Sequence, residues 1–198
     1  MLQHFPSDKI ICGVDEAGRG CIAGPVVAAA VILPKNFSND FLNDSKQLSE
    51  KQRNELRPII EENAIAFGVG IIDNHTIDEV NILQATYLAM HQAIEKINKQ
   101  IDLLIIDGNR FKSYKNIEHK TIIKGDGKYI EIAAASVLAK TYRDEIMENL
   151  CLEFPIYHWQ KNKGYPTIEH RNAVKENGSC IYHRQSFRLL KDEQLNLF

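Results

Sequence analysis

The sequence predicts an α/β chain built on a mixed five-stranded sheet flanked by helices. Three observations predict it. Five short apolar runs are each closed by acids, glycines or prolines, which is the length and punctuation of strands. Three strands come early, and the later ones alternate with helical patterns. The chain has 198 residues, 44% apolar and 25% charged, which is enough for one core.

The first strand is Lys9 to Asp15, ending in acids and then in Gly18, Arg19 and Gly20, a turn tolerant of unusual dihedrals. Val26 to Leu33, after Gly24 and Pro25, is too short for a helix and forms the second strand. Pro34 to Asp44 is a polar loop. Ser49 with Gln52 forms a capping box that opens a helix toward Glu62, which Pro58 is expected to kink or shorten. Ala64 to Ile72 alternates as a third strand, and Thr76 with Glu79 predicts a cap for a long helix reaching about Lys99. Leu103 to Ile106, bounded by Asp102 and Asp107, reads as a strand covered on both faces. Lys120 to Ile123 is a fifth strand, ended by Lys124, Gly125, Asp126 and Gly127. An alanine-rich helix from about Glu131 to Leu152 follows, and Thr167 to Asn177, stopped by Gly178, is the last helix.

No apolar run approaches the roughly 18 residues of a membrane span, and Met1 to Asp8 lacks a secretory signal's basic start and apolar stretch. A cytoplasmic, monomeric protein is expected. Cys12, Cys21, Cys151 and Cys180 form no CxxC pair, so reduced thiols are expected in place of a zinc or redox motif. The net charge of -2 hides an asymmetry: residues 1–108 carry 9 basic and 15 acidic side chains, residues 109–191 carry 15 and 9. A basic half can attract a phosphate backbone over about 8 to 10 Å, the screening length in physiological salt.

Asp15 and Glu16 close the first strand, Asp107 the fourth and Asp126 the fifth. If those strands are parallel neighbours, four carboxylates converge. One such pair at 4 Å repels by about 4 kcal/mol at an effective dielectric of ~20, so bound cations are required. Hard oxygen ligands select Mg2+ or Mn2+, and two ions about 3.5 to 4 Å apart would neutralise the cluster. Adjacent strand residues point to opposite faces, so the chain is expected to turn at Asp15 and Glu16 to bring both inward. Gly18, Gly20 and Gly24 do not form a dinucleotide loop, because the spacing is one position too long and a strand follows. Gly125 to Lys128 lacks the upstream glycine of a phosphate loop.

Several blocks then carry a resemblance. Gly13 to Gly20 reads GVDEAGRG, Asn43 to Ser49 NDSKQLS, Ile106 to Arg110 IDGNR and Lys124 to Asp126 KGD. Ala133 to Lys140 reads AAASVLAK, with Arg143 and Asp144 beyond, Lys163 to Thr167 KGYPT and His183 to Phe187 HRQSF. In this order they resemble bacterial ribonuclease HII, over about Gly13 to Phe187. The resemblance implies a ribonuclease H-like core (1–152) with a C-terminal helical extension (153–198) packed on it as one functional domain. It also implies cleavage of the RNA strand of RNA/DNA hybrids and incision 5' of single ribonucleotides in duplex DNA, leaving 3'-hydroxyl and 5'-phosphate ends, in ribonucleotide removal during repair and replication.

By the same resemblance, Asp15, Glu16, Asp107 and Asp126 hold Mn2+ or Mg2+, one ion activating water and the other stabilising the departing 3'-oxygen. Gly18, Arg19 and Gly20 sense the 2'-hydroxyl, and Tyr165 packs on the sugar after the ribonucleotide. Ser45, Lys46, His183, Arg184 and Ser186 are candidate donors to phosphate oxygens, and Lys140 supports the site unless it pairs with Asp144 one helical turn on. Cys21 stands where the family commonly has proline, and Gln185 where a second basic residue is common. Gln194 to Phe198, QLNLF, loosely resembles a peptide that binds a replication sliding clamp. Two other readings compete: a catalytically silent nucleic-acid-binding module, and a carboxylate nuclease acting on branched DNA.

Overall fold

The computed structural model describes residues 2–42 and 48–190. Among these, β1 (Ile11–Ala17), β2 (Val26–Ile32), β3 (Ala66–Ile72), β4 (Leu103–Asp107) and β5 (Glu118–Ile122) form one sheet in the order β3-β2-β1-β4-β5. β1, β2 and β3 are antiparallel neighbours, whereas β1, β4 and β5 run parallel. The helices are α1 (Glu50–Asn63), α2 (Asn74–Glu95), α3 (Ile130–Glu153), α4 (Trp159–Asn162) and α5 (Ile168–Asn177). The expected mixed five-stranded α/β architecture is present.

β2, VVAAAVI, is buried along its whole length because both of its faces are covered. Val27, Ala29 and Val31 pack with α1 and α3, while Val26, Ala28, Ala30 and Ile32 pack with α2. Small side chains let the helices sit close. On β3, a Cβ at Gly68 would lie 2.2 Å from the Ala93 carbonyl oxygen of α2, and one at Gly70 would lie 1.9 Å from that of Ala89. The parallel register aligns Ile106 of β4 with both Val14 of β1 and Thr121 of β5. The C-terminal ends of these three strands therefore open on one edge, where α/β sheets place ligands.

Several local expectations need correction. α1 has the Ser49–Gln52 capping box but is not shortened at Pro58; it runs on to Asn63. Pro58 and Asn54, whose carbonyl loses its intrahelical donor, are both exposed, so water can replace that bond. α2 is capped not by Thr76 but by Asp73, whose carboxylate accepts from the Thr76 N–H at 2.8 Å. It breaks at Asn81 (φ 69°), whose side chain accepts from the Leu83 and Gln84 N–H groups and so restarts the helix. α4 and the flanking 3-10 turn Pro155–Tyr157 were not expected, because four residues are too few for a periodic pattern. Beyond α3, Tyr157, Trp159, Ala173 and Val174 pack against Ala23, Met147 and Cys151. All four cysteines are free thiols, and no helix among the described residues is long and apolar enough to cross a membrane.

Gly70→Ala is expected to lose about 2 to 3 kcal/mol of unfolding free energy, since backbone and not a flexible side chain blocks the new methyl group. Gly127→Ala, where a Cβ meets nothing within 4 Å, should change it by less than about 0.5 kcal/mol. Urea titration of both variants tests this, and equal losses would refute the packing argument.

Candidate metal centre and nucleic-acid cleft

Asp15, Asp107 and Asp126 each offer a carboxylate oxygen, and these oxygens lie within 4.8 Å of one another. Asp15 comes from the end of β1, Asp107 from the end of β4, and Asp126 from the one-turn 3-10 helix Gly125–Gly127 that follows β5. The connection between the last two is direct, since the Gly125 N–H donates to Asp107 Oδ1 at 2.7 Å. Asp15 and Asp126 are 4% and 1% exposed. Burial, and then the nearby Glu16 and Asp107 carboxylates, push Asp15 well above the usual carboxylate range, against hydrogen bonds from Ser136 and the Glu16 N–H. A set of hard oxygens held this close fits a divalent cation such as Mg2+ or Mn2+, which would remove the repulsion.

The chain does not turn between Asp15 and Glu16 as expected. β1 continues in regular register, Asp15 opposite Ala29, Glu16 opposite Ala28 and Ala17 opposite Val27, and the turn comes at Gly18 (φ 93°). Strand alternation sends Asp15 toward α3 and Glu16 toward α2. Glu16 is thus outside the three-carboxylate group but still lines the cleft, and its carboxylate accepts from Arg19 Nη1 at 3.0 Å.

The cleft above these acids has a volume of about 210 Å³, and its walls include the Gly18–Arg19–Gly20 turn, Ser136, Lys140 and Tyr165. Ser136, Lys140 and Arg143 recur at i, i+4 and i+7 on α3, so one helix face serves the site. Burial, with Arg53 and Arg143 nearby, pulls the Lys140 ammonium below its ordinary range against the Asp144 carboxylate. The Lys140–Asp144 pair is not among the ion pairs; Asp144 instead faces Arg53 at 3.8 Å. Arg143 is 1% exposed and donates to the carbonyls of Pro25, Lys163 and Ala23. A Cβ at Gly18 would lie 2.0 Å from Arg143 Nε, so the glycine turn rests directly on this guanidinium.

A family model for ribonuclease HII matches residues 12–190. The chain belongs to the ribonuclease HII family. It is 58% identical to the ribonuclease HII of Bacteroides thetaiotaomicron, over 100% of this chain and 98% of that protein. It is also 58% identical to that of Christiangramia forsetii, over 98% of each. Among solved structures, the RNase HII of Archaeoglobus fulgidus in complex with PCNA superposes with a TM-score of 0.76 at 24% identity, covering 96% of this chain and 100% of that one. Bst-RNase HIII in complex with Mn2+ gives 0.73 at 19% identity, over 90% and 67%. The chain is therefore a ribonuclease H-type nuclease with the corresponding fold.

Not every expected site residue faces the cleft. His183 and Arg184 were expected to donate to phosphate oxygens, but they are 1% and 0% exposed. Arg184 donates to the carbonyls of Gly24, Arg19 and Pro25, bracing the glycine turn from behind. A motif of basic residues carries no mark of which ones are consumed by backbone carbonyls, so sequence could not exclude them. Ser186 is exposed, with its hydroxyl donating to Asp78 at 2.5 Å. Ser45, Lys46 and Gln194 to Phe198 lie outside the described residues. Ser136 and Arg143 were missed as site residues, although their spacing from Lys140 in the alanine-rich helix was a usable signal.

Asp15 titrates above its ordinary 3.8 in the fold, so it holds its proton longer when folded, and metal-free stability falls as pH rises through that folded value. Asp15→Asn should therefore stabilise the metal-free protein at pH 7 to 8 by about 1 to 2 kcal/mol, the advantage vanishing below about pH 4. Adding Mn2+ should raise the unfolding temperature of the unaltered protein more than that of the variant. Thermal unfolding across pH, with and without Mn2+, checks both; a variant less stable at neutral pH without metal would contradict the repulsion.

Proposed function

We propose that this chain hydrolyses the RNA strand of RNA/DNA hybrids and also incises duplex DNA on the 5' side of a single embedded ribonucleotide, leaving 3'-hydroxyl and 5'-phosphate ends. The observation that carries this reading is the convergence of buried Asp15 and Asp126 with half-buried Asp107 beside a cleft walled by the Gly18–Arg19–Gly20 turn and Tyr165. The membership of the ribonuclease HII family supports it.

Asp15, Glu16, Asp107 and Asp126 would hold two divalent ions, Mn2+ or Mg2+. When bound, such ions supply an activated water and stabilise the leaving 3'-oxygen. The chain's own residues do the selecting. Only the 2'-hydroxyl distinguishes the ribose, and a site built to bond it penalises its absence. A Cβ at Gly20 would meet nothing within 4 Å, so the backbone there is open to close approach by a sugar. Tyr165, half exposed beside the turn, offers a ring face to the following sugar. Lys140, Ser136 and Arg19 supply donors around the acids. Exposed Arg110, Lys112 and Lys124 follow Asp107 or precede Asp126 closely in the chain and are the basic residues available to the duplex backbone in this reading. In this reading Ser45, Lys46 and Ser186 contact the phosphate backbone, and residues 1–152 and 153–198 act as one functional unit in ribonucleotide removal. The silent-binding reading is disfavoured because a buried, self-repelling acid group costs stability and serves no contact with a polyanion.

Asp107→Asn is expected to lower cleavage of a duplex with one ribonucleotide by roughly a thousandfold or more while binding stays within about tenfold. Cleavage and gel-shift assays in Mg2+ and Mn2+ test it. An unaltered turnover would remove the catalytic role, and equal cutting of all-DNA duplex would remove the 2'-hydroxyl reading. Gln194 to Phe198 is proposed to engage a replication sliding clamp, as a second partner. Deleting these five residues should abolish clamp pull-down, and an equal yield from both forms would exclude that contact.

A further inference from the structure

Behind Tyr165 runs a line of buried polar groups that the proposed chemistry does not use. His170 on α5 places Nδ1 2.9 Å from the Tyr165 carbonyl oxygen, and its Nε2 receives the Trp159 indole N–H at 3.0 Å. His183 Nε2 lies 3.1 Å from that same His170 Nε2, and the Cys180 backbone N–H donates to His183 Nδ1 at 3.0 Å. Both rings are essentially inaccessible to water.

The partners settle where the protons are. A carbonyl only accepts, so His170 carries its proton on Nδ1 and presents a bare Nε2. A backbone N–H only donates, so His183 has a bare Nδ1 and carries its proton on Nε2, aimed at His170. One proton per ring gives every nitrogen a partner, with the single lone pair of His170 Nε2 shared between the Trp159 N–H and the His183 Nε2–H, and the tautomers are opposite. A second proton on either ring would set two donors against each other or against an N–H. Burial pushes both imidazoles down, His183 to about 4 with His170 beside it, which keeps the pair neutral near pH 7.

The two ends of this line meet the Tyr165 loop and the segment that follows the glycine turn. His170 holds the carbonyl of Tyr165, which also accepts from the Thr167 N–H at 2.8 Å. His183 forms a bridge with Ala23, three residues beyond Gly20 of the glycine turn. Gly164, just before Tyr165, has φ +81° and its carbonyl accepts from the Ile22 N–H at 2.9 Å, so the approach to the tyrosine is tied to the segment after the glycine turn while His170 holds the tyrosine's own carbonyl.

We propose that His170 and His183 are positioning residues: their neutral hydrogen-bond chain sets Tyr165 relative to the glycine turn, and so the recognition of the ribonucleotide junction. This rests on the reading of Tyr165 as a sugar contact.

Two substitutions separate positioning from mere packing. In His170→Asn the amide N–H takes the place of Nδ1 and keeps the donor to Tyr165. In His170→Gln the amide oxygen reaches the place of Nε2, keeping the acceptor for Trp159 and losing that donor. Both remove the ring, so thermal unfolding should show similar losses. The readout is kcat/KM on duplex DNA with one ribonucleotide, divided by that on an RNA/DNA hybrid. His170→Gln should lower this ratio roughly ten- to hundredfold, His170→Asn should stay within about threefold, and adding Tyr165→Ala to His170→Gln should lower it no further. Equal ratios for Asn and Gln, or full additivity with Tyr165→Ala, would overturn the positioning role alone. A Tyr165→Ala variant with an unchanged ratio would overturn the junction reading and this inference with it. Should the variants not fold, nitrogen-15 NMR of the unaltered protein at pH 7 still decides: Nδ1–H on His170 with Nε2–H on His183 is expected, and matching tautomers or an imidazolium would refute the chain.

Discussion

Mutual repulsion among carboxylates gathered at one sheet edge, two of them buried, is the constraint to which the rest of this structure answers. Three aspartates with oxygens within 4.8 Å cannot all ionise cheaply in a poorly solvated place. Only rigid delivery keeps them there. Asp15 lies among the last residues of β1 and Asp107 closes β4, its parallel neighbour, while Asp126 is presented by a turn whose first N–H is bonded to Asp107. The repulsion is thus stored in the sheet edge, ready to be relieved by a divalent cation.

The walls above the acids are held by a different device. Arg143 and Arg184 are buried cations whose donors go to backbone carbonyls on the 19–25 segment, with Arg143 also reaching Lys163. A guanidinium suits this role because its planar fork offers five donors and cannot be neutralised by burial. Burial, with Arg143 nearby, pulls Arg184 down to about 10, so it remains charged at neutral pH. The glycine turn, the segment around Tyr165 and the strip around His183 are therefore tied to one another. That tie brings residues distant in sequence to the walls of one cleft.

How much of this was legible beforehand differs by element. β2 and β4 were readable because continuous apolar runs between breakers have few other uses, and α1 because Ser49 and Gln52 cap it as a pair. Asp73 was overlooked because Thr76 and Glu79 match a capping box equally well in one dimension, and the break at Asn81 depends on a left-handed conformation that asparagine tolerates without announcing. His183 and Arg184 were misjudged for a related reason: a basic residue looks the same in sequence whether it meets solvent or three carbonyls.

By itself, the sequence determined the strand-end placement of four acids, the glycine turn beside the first of them and the helix carrying Lys140, because apolar period and punctuation are local properties. The three-dimensional fold decided which acids meet. Parallel pairing of β1, β4 and β5 brought Asp15, Asp107 and Asp126 together, while strand alternation turned Glu16 to the neighbouring wall. It also decided that Arg184 and His183 act from beneath the surface, because burial and hydrogen-bond partners are set by contacts between segments more than a hundred residues apart.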